Sequence, residues 1–440
     1  MRKGLVALLV VVALIVLISP GIVGRLAEKS MDENLDWVAQ ESQELVVTSQ
    51  GFDRGWFSSA GRHRVELRDG RLRSVLIAAA GADASDELPA LIIDTQLDHG
   101  LIPVTSMTRE TGTLAPGLGN AVSTLSIELP DGAIVALPGT IYSNVGLTGE
   151  LSSNYVLEPG AHSTDNVNAT WGAVDIDVTT NPLSGALSFA GLVDSFEMAG
   201  KAEIVRLDKA EFTGQQSPGP FGFAVGDISI AAREIAFQAG DAGKSQAFGP
   251  LSFESTSSVD GKRVTGQAQI MLEGASAPEV GDIALRLNVT LKDADGRSIG
   301  NITQTLENVD PDMQPDRLFA LLDDDLQRLL AAGMELRFDQ LDVTLPQGPI
   351  TSKMRFSVAE TNSASFNWTS VLLALDASAD IRIAAELVDL AVTMNPQANA
   401  AIGMGFLRRN GDFYEMQAAY KKGLLTVNGA PMPIPLPAMQ

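Results

Sequence analysis

The sequence predicts a mainly β protein with a few helices, an elongated curved antiparallel β-sheet preceded by one N-terminal transmembrane helix. Three observations predict it. The chain opens on an apolar run, most of the remainder alternates apolar with polar residues, and glycine-containing turn pairs separate the alternating stretches.

Arg2 and Lys3 precede apolar residues from Gly4 to Ile18, and after Ser19-Pro20 the run resumes from Gly21 to Gly24 before Arg25. A helix of about 20 such residues, at 1.5 Å per residue, covers roughly the 30 Å of a bilayer's hydrocarbon core. Positive charge before the run, and Glu28, Asp32 and Glu33 after it, place the N-terminus in the cytoplasm and the bulk of the chain in the periplasm of a bacterial inner membrane. Ile22-Val23-Gly24 is a poor substitute for an A-x-A cleavage site, which favours an uncleaved anchor over a removed signal peptide. Leu26, Met31, Leu35 and Val38 continue at helical spacing. The expected order is therefore an anchor over residues 1–25 and a juxtamembrane stalk over 26–44.

Beyond Leu45 the period becomes two. Ile283, Leu285, Leu287, Val289 and Leu291 alternate with Arg286, Asn288 and Thr290, so one strand face is apolar and the other polar. Val174, Ile176 and Val178 follow the same rule, as do Val145, Leu147 and Leu151, and Met354, Phe356 and Val358. Asp69-Gly70, Asp131-Gly132, Asp260-Gly261, Asp295-Gly296 and Asn410-Gly411 stand where hairpins need residues tolerant of positive φ.

Two stretches read as helices. Between Pro315 and Gly333, Leu318, Leu322, Leu326 and Leu329 form one stripe with Phe319 and Leu330 beside it. From Ala377 to Met394, Ile381, Ala384, Ala385, Val388 and Leu390 form a less regular stripe ended by Asn395-Pro396. Ser217 to Gly222, rich in proline and glycine, reads as a linker between an N-terminal β-rich half over 45–216 and a C-terminal one over 223–440. Pro431 to Pro437 reads as extended.

Composition narrows the chemistry. A net charge of -23 disfavours nucleic acid and anionic lipid headgroups as main partners, and the absence of cysteine removes disulfides, thiolate nucleophiles and cysteine metal sites. His63, His99 and His162 stand in separate contexts without helical metal-ligand spacing, so they read as structural. Gly243-Lys244-Ser245 ends like a phosphate loop, yet Gln238 stands where its first glycine belongs. Asp293 and Asp295 resemble half a calcium loop whose first ligand position is Leu291, and Asp323, Asp324 and Asp325 read as a solvated helix face. No G-x-S-x-G elbow occurs. Trp56-Phe57, Trp171, Phe366-Asn367-Trp368 and Phe413-Tyr414 read as core aromatics before lipid or partner anchors. The N-x-S/T triplets at Asn168, Asn288, Asn301 and Asn367 carry no function in a bacterium.

Two local patterns carry a family resemblance. Gly51-Phe52-Asp53-Arg54-Gly55-Trp56-Phe57 follows the N-terminal run, and Tyr414, Tyr420, Gly423, Asn428 and Gly429 mark the end. Together they resemble the opening and closing hairpin of the YdgA-like family of bacterial membrane-anchored envelope proteins of unknown function. By looser analogy the chain is similar to AsmA-like proteins, whose long curved sheets are implicated in envelope lipid handling. The resemblance implies an envelope location and offers no catalytic residues.

The reading that follows is a non-enzymatic, membrane-anchored periplasmic protein that needs no cofactor or metal. It binds or conveys lipid along an apolar β-sheet groove lined by Ile283, Leu285, Leu287, Val289, Leu291, Met354 and Phe356. Its expected partners are the cytoplasmic membrane, through the N-terminal helix, and a phospholipid. The alternative is a non-catalytic envelope scaffold that binds a periplasmic protein through an edge strand or the proline-rich tail.

Overall fold

The computed structural model describes residues 45–55, 58–68, 73, 90–99, 118–128, 132–163, 167–200, 203–239, 245–277, 281–309, 313–361, 368–395 and 398–432. The expected anchor and stalk, Asp69-Gly70, Gly243-Lys244, the Trp56-Phe57 pair and the tail from Pro433 lie outside them. Among the described residues no helix is long and apolar enough to cross a membrane. The described chain is mainly β with few helices. It groups into two compact units, one containing residues up to Gly160 and Gly172–Asp194, the other Ala161–Trp171 and Ser195 onward.

The first unit is an antiparallel meander. Strands β1 (Leu45–Arg54), β2 (Ser58–Leu67), β3 (Ala90–His99), β4 (Gly119–Glu128), β5 (Ile134–Val145) and β6 (Leu151–Leu157) pair in chain order. Strand β9 (Val174–Asn181) pairs with β6, and Ala186–Val193 of β10 (Ala186–Gly200) pairs with β9. Its buried face is unusually rich in hydroxyls. Ser59, Thr95, Ser123 and Ser143 are buried beside Leu97 and Ala121. Cross-strand pairing satisfies them: Thr95 Oγ1 lies 2.8 Å from Ser123 Oγ, Ser143 Oγ lies 2.8 Å from Ser153 Oγ, and Asn144 Nδ2 donates to Asn120 Oδ1 at 2.7 Å. Alternation locates these strands without revealing that the buried side chains are polar. Leu147, expected in an alternating strand, instead occupies the β5–β6 turn and is 71% exposed.

Tyr155 supplies a titratable probe of this unit. Its hydroxyl donates to the Pro138 carbonyl at 2.9 Å, and burial raises its phenol above the ordinary value near 10. A group whose folded pKa is raised stabilises the fold below its unfolded pKa and loses that contribution as pH climbs through the folded one. The expected result is that the 295 nm absorbance difference between the native chain and Tyr155→Phe titrates above pH 10. The stability advantage of the native residue then fades over the same interval. A difference that titrates at or below 10 contradicts this placement.

The second unit begins with β7 (Gly160–Ser163) and β8 (Val167–Trp171), and β8 pairs with Phe196–Gly200 of β10. Strands β11 (Glu203–Pro218), β12 (Ala224–Ala239), β13 (Ser245–Phe248), β14 (Leu251–Asp260), β15 (Arg263–Ala277) and β16 (Gly281–Asp295) continue the antiparallel order. The short β13 bridges the ends of β12 and β15. After two helices come β17 (Met334–Leu345), β18 (Gly348–Val358) and β19 (Leu375–Ala384), and β19 pairs with β21 (Phe413–Lys421). Strands β20 (Arg408–Asn410) and β22 (Leu424–Val427) pair with β21 at its two ends, and β23 (Ala430–Met432) pairs with β22. The Asp260-Gly261 and Asn410-Gly411 turns form as expected, with φ of 59° and 61° at the glycines.

Three expectations are corrected. Ser217–Gly222 is no linker: β11 runs to Pro218, Gly219 N donates to the Phe223 carbonyl at 2.8 Å, and both flanking strands belong to the second unit. Asp295-Gly296 is no hairpin turn but the start of α1 (Gly296–Asn308), whose N-cap Asp295 accepts from Ser298 N at 2.9 Å. The helix expected over Ala377 to Met394 divides: Leu375–Ala384 is strand β19, and only α4 (Ala385–Met394) is helical. Ser378, Asp380 and Arg382 alternate with Ala379, Ile381 and Ile383, and β18 and β21 on either side stabilise the extended form.

Helix α2 (Pro315–Ala331) forms where expected and buries Leu322 and Leu329. The adjoining acids are not uniformly solvated, since Asp325 is 13% exposed and accepts from Asn301 Nδ2 of α1 and from Arg328, at 2.9 and 2.6 Å. Two short helices, α3 (Trp368–Ala374) and α5 (Ala398–Gly403), complete the unit.

Candidate apolar binding face

Cross-strand register shows which side chains share a face of the second unit's sheet, because directly paired residues in antiparallel strands project to the same side. One row runs Phe253, Ile270, Leu287, Leu341, Ile381 and Met416, with Ser352 between Leu341 and Ile381. The next runs Ala268, Val289, Phe338, Met354, Ala379 and Ala418. A third runs Leu291, Leu336, Phe356, Ala377, Tyr420 and Leu425. Leu285 heads a parallel row through Val343, Ile350, Ile383 and Tyr414, and Ile283 sits opposite Ala275.

The proposed lining residues therefore fall on one face, and the register adds partners from β14, β15, β17, β19 and β21. Most are half-buried, and Phe356 is 38% exposed. Ser352 is buried and donates to the Leu341 carbonyl at 3.0 Å, so its hydroxyl is spent within the sheet.

The opposite face carries the charge. Arg355 donates twice to Glu335, at 2.6 and 3.0 Å, which raises its guanidinium above its ordinary value through that hydrogen bond. Lys421 lies 3.1 Å from Asp376, and Arg382 lies 3.5 Å from Glu415 while its guanidinium sits 3.7 Å over the Phe413 ring. An open concavity of about 600 Å³ lies mainly on this charged side, lined by Asp339, Asp342, Lys353, Asp380, Arg382 and Glu415. Two of its acids accept hydrogen bonds: Thr290 donates to Asp339 at 2.9 Å and Gln340 to Asp342 at 2.7 Å. Among the described residues no group of three histidine, aspartate or glutamate side chains is placed to hold a metal ion.

Bulges shape the sheet beneath the apolar face. Register shifts occur between Val264 and Gly266, Leu272 and Ala275, Asn288 and Val289, and Phe338 and Leu341. Each adds a residue on one side and bends its strand. At one end of the face, α4 packs Ala385 and Val388 against Tyr414, with Ile383, Ile402 and Leu407 joining the cluster.

The terminal motif residues have definite structural work. Tyr414 and Tyr420 are buried on the apolar side, and Gly423 and Gly429 occupy turns with φ of 82° and 79°. Asn428, at φ 50°, donates from Nδ2 to the Gly405 and Phe406 carbonyls at 2.9 and 3.1 Å and accepts at Oδ1 from Gln417 N at 2.9 Å. It thereby pins the loop that carries Leu407 to the Tyr414 cluster. Replacing Asn428 with alanine is expected to cost about 2 kcal/mol. Amide exchange at residues 404–407 should accelerate in the same variant, and unchanged exchange there contradicts the pin.

The first motif does similar work in the first unit. Gly51 and Phe52 lie on β1 beside a register shift, and Phe52 packs on Leu97 and Ala121. A Cβ at Gly61 would stand 3.1 Å from the Phe52 ring, and one at Gly55 would stand 2.6 Å from the Ser58 carbonyl oxygen. His63, 2% exposed, belongs to the same buried face. Arg62 donates twice to Asp94 across the strands, at 2.6 and 2.9 Å. These are packing and turn requirements.

Together, register and side-chain placement define a mainly β protein whose second unit carries a sheet with one charged and one apolar face. The chain belongs to the family described as bacterial protein of unknown function (DUF945), whose model matches residues 1–435. No curated protein and no solved structure matches it.

Proposed function

We propose that the second unit binds lipid acyl chains on its apolar face and that the chain works as a non-enzymatic, membrane-anchored periplasmic protein. The observation that carries this reading is the run of half-buried apolar rows across seven strands, set against a charged opposite face. Leaving such area in water is unfavourable by about 25 cal/mol per Å², and contiguous exposed apolar surface marks a binding surface. The Arg2-Lys3 charges, the apolar run to Gly24 and the acidic residues after it support the location.

A neutral solvatochromic dye tests the reading on the full-length chain. Saturable fluorescence enhancement that phospholipid displaces is the expected result. Absence of enhancement, together with capture of a folded periplasmic protein on the same face, would replace lipid binding by a scaffold role.

A further inference from the structure

We infer that the charged face of the second unit holds an oxyanion site for a hydroxylated monocarboxylate, a sugar acid free or at the end of a glycan. The site lies on the other side of the sheet from the apolar rows and does not rest on the acyl-chain reading. A hollow of about 420 Å³, within the range of small-ligand sites, is lined by Asp227, Thr256, Thr265, Lys292, Arg337 and Asp339. Asp227, Thr256, Gln267, Thr290 and Arg337 stand opposite one another on neighbouring strands, so they project to one side.

Two cations in this hollow keep unspent bonding capacity. Lys292 is paired across the strands with Glu335, whose carboxylate is already taken by Arg355 at 2.6 and 3.0 Å. Among the described residues Lys292 makes no ion pair. Arg337 meets only distant partners: its Nε lies 3.6 Å from Glu335 Oε1 and its Nη2 3.4 Å from Asp339 Oδ2, beyond ordinary hydrogen-bond length. Asp339 Oδ2 in turn accepts from Thr290 at 2.9 Å. Arg337 Nε is shut off from solvent with no hydrogen-bond partner, a state that buried donors rarely keep.

A planar carboxylate answers both cations. The guanidinium fork, turned from its long contacts, takes two oxygens in parallel, and the Lys292 ammonium adds a point charge. The neighbouring acids choose the oxyanion: Asp227 and Asp339 share the hollow, so a dianionic phosphate ester meets twice the repulsion of a single charge. Asp227 and the hydroxyls of Thr256 and Thr265 offer hydrogen bonds to ligand hydroxyls, which a sugar acid has and a fatty acid lacks. The chain's net charge of -23 opposes an anion at long range, but salt screens that field beyond about 8–10 Å, so the two local cations decide.

Isothermal titration of the full-length chain in lipid nanodiscs at neutral pH tests the site, with sodium glucuronate, glucose and glucose 6-phosphate as probes. The expected result is saturable glucuronate binding at least tenfold tighter than that of either other sugar, and weakened at least tenfold in both Arg337→Gln and Lys292→Gln. Because Lys292 gives up no ion pair among the described residues, its variant reads the site apart from any effect of Arg337→Gln on folding. Undetectable glucuronate binding, or glucose binding as tightly, overturns the site. Glucose 6-phosphate binding as tightly as glucuronate or more so overturns the carboxylate assignment, and unchanged glucuronate affinity in Lys292→Gln overturns the role of the cations.

Discussion

Replacing Gly226 with alanine is expected to destabilise the second unit by about 3 kcal/mol or more, lowering its unfolding temperature by on the order of 5–10 °C. Gly226, the third residue of β12, has φ of 147°, a region that side-chain-bearing residues rarely enter. A Cβ built there would stand 1.9 Å from the Gln215 carbonyl oxygen, and the Ser257 hydroxyl contacts the glycine's backbone from the next strand at 3.1 Å. The atoms a Cβ would meet, from Gln215 and Gln216, are all backbone, so no flexible group can yield. Gly222 in the preceding turn provides the comparison: φ is 85°, but nothing lies within 4 Å of its would-be Cβ. Gly222→Ala should therefore cost about 1 kcal/mol, the price of positive φ alone. Thermal unfolding followed by circular dichroism separates the two, and equal shifts would contradict the close approach.

The second large effect concerns binding. Leu287→Glu puts a carboxylate at the centre of the apolar rows, between Ile270 and Leu341. Burying an unpaired charge against hydrocarbon costs several kcal/mol. Bound lipid should fall at least tenfold, while the half-buried site keeps the fold with a loss of about 1–2 kcal/mol. Ser378→Glu tests the other face: Ser378 is exposed and sits opposite Arg355, so lipid content should be unchanged. Equal loss in both variants would mean that charge anywhere on the sheet matters, and the apolar face would lose its special role.

Much of this architecture is legible in the sequence because a strand's period of two is a direct consequence of backbone pleating. Ile283 to Leu291 gives its strand and its face together, and the leucine stripe of α2 gives its helix. Other elements are hidden for identifiable reasons. Helix α1 carries only Ile299, Ile302 and Leu306 as large apolar residues, and its Asp295-Gly296 start has the same two letters as a hairpin turn. What distinguishes the two is Ser298, three residues after Asp295, whose amide the carboxylate caps. Gly296 and Gly300 have a further reason invisible in sequence: Phe221 lies where their Cβ atoms would stand, within 2.2 and 2.1 Å. Strand β19 was obscured because Ala384, Ala385 and Val388 continue its apolar pattern into α4 at helical spacing.

The candidate face was only partly legible. The sequence names the alternating residues of β16 and β18, but β14, β15, β17, β19 and β21 join them through register, which bulges shift by single residues. The role of Asn428 in holding the Gly405–Leu407 loop depends on contacts some 22 residues apart and has no local signature.

Native mass spectrometry of the full-length chain, released from its membrane and followed by lipid extraction, tests the central claim most directly. A stoichiometric phospholipid that remains with the native chain and is lost in Leu287→Glu is the predicted result. A lipid-free mass for a chain whose circular dichroism shows the intact sheet would contradict it.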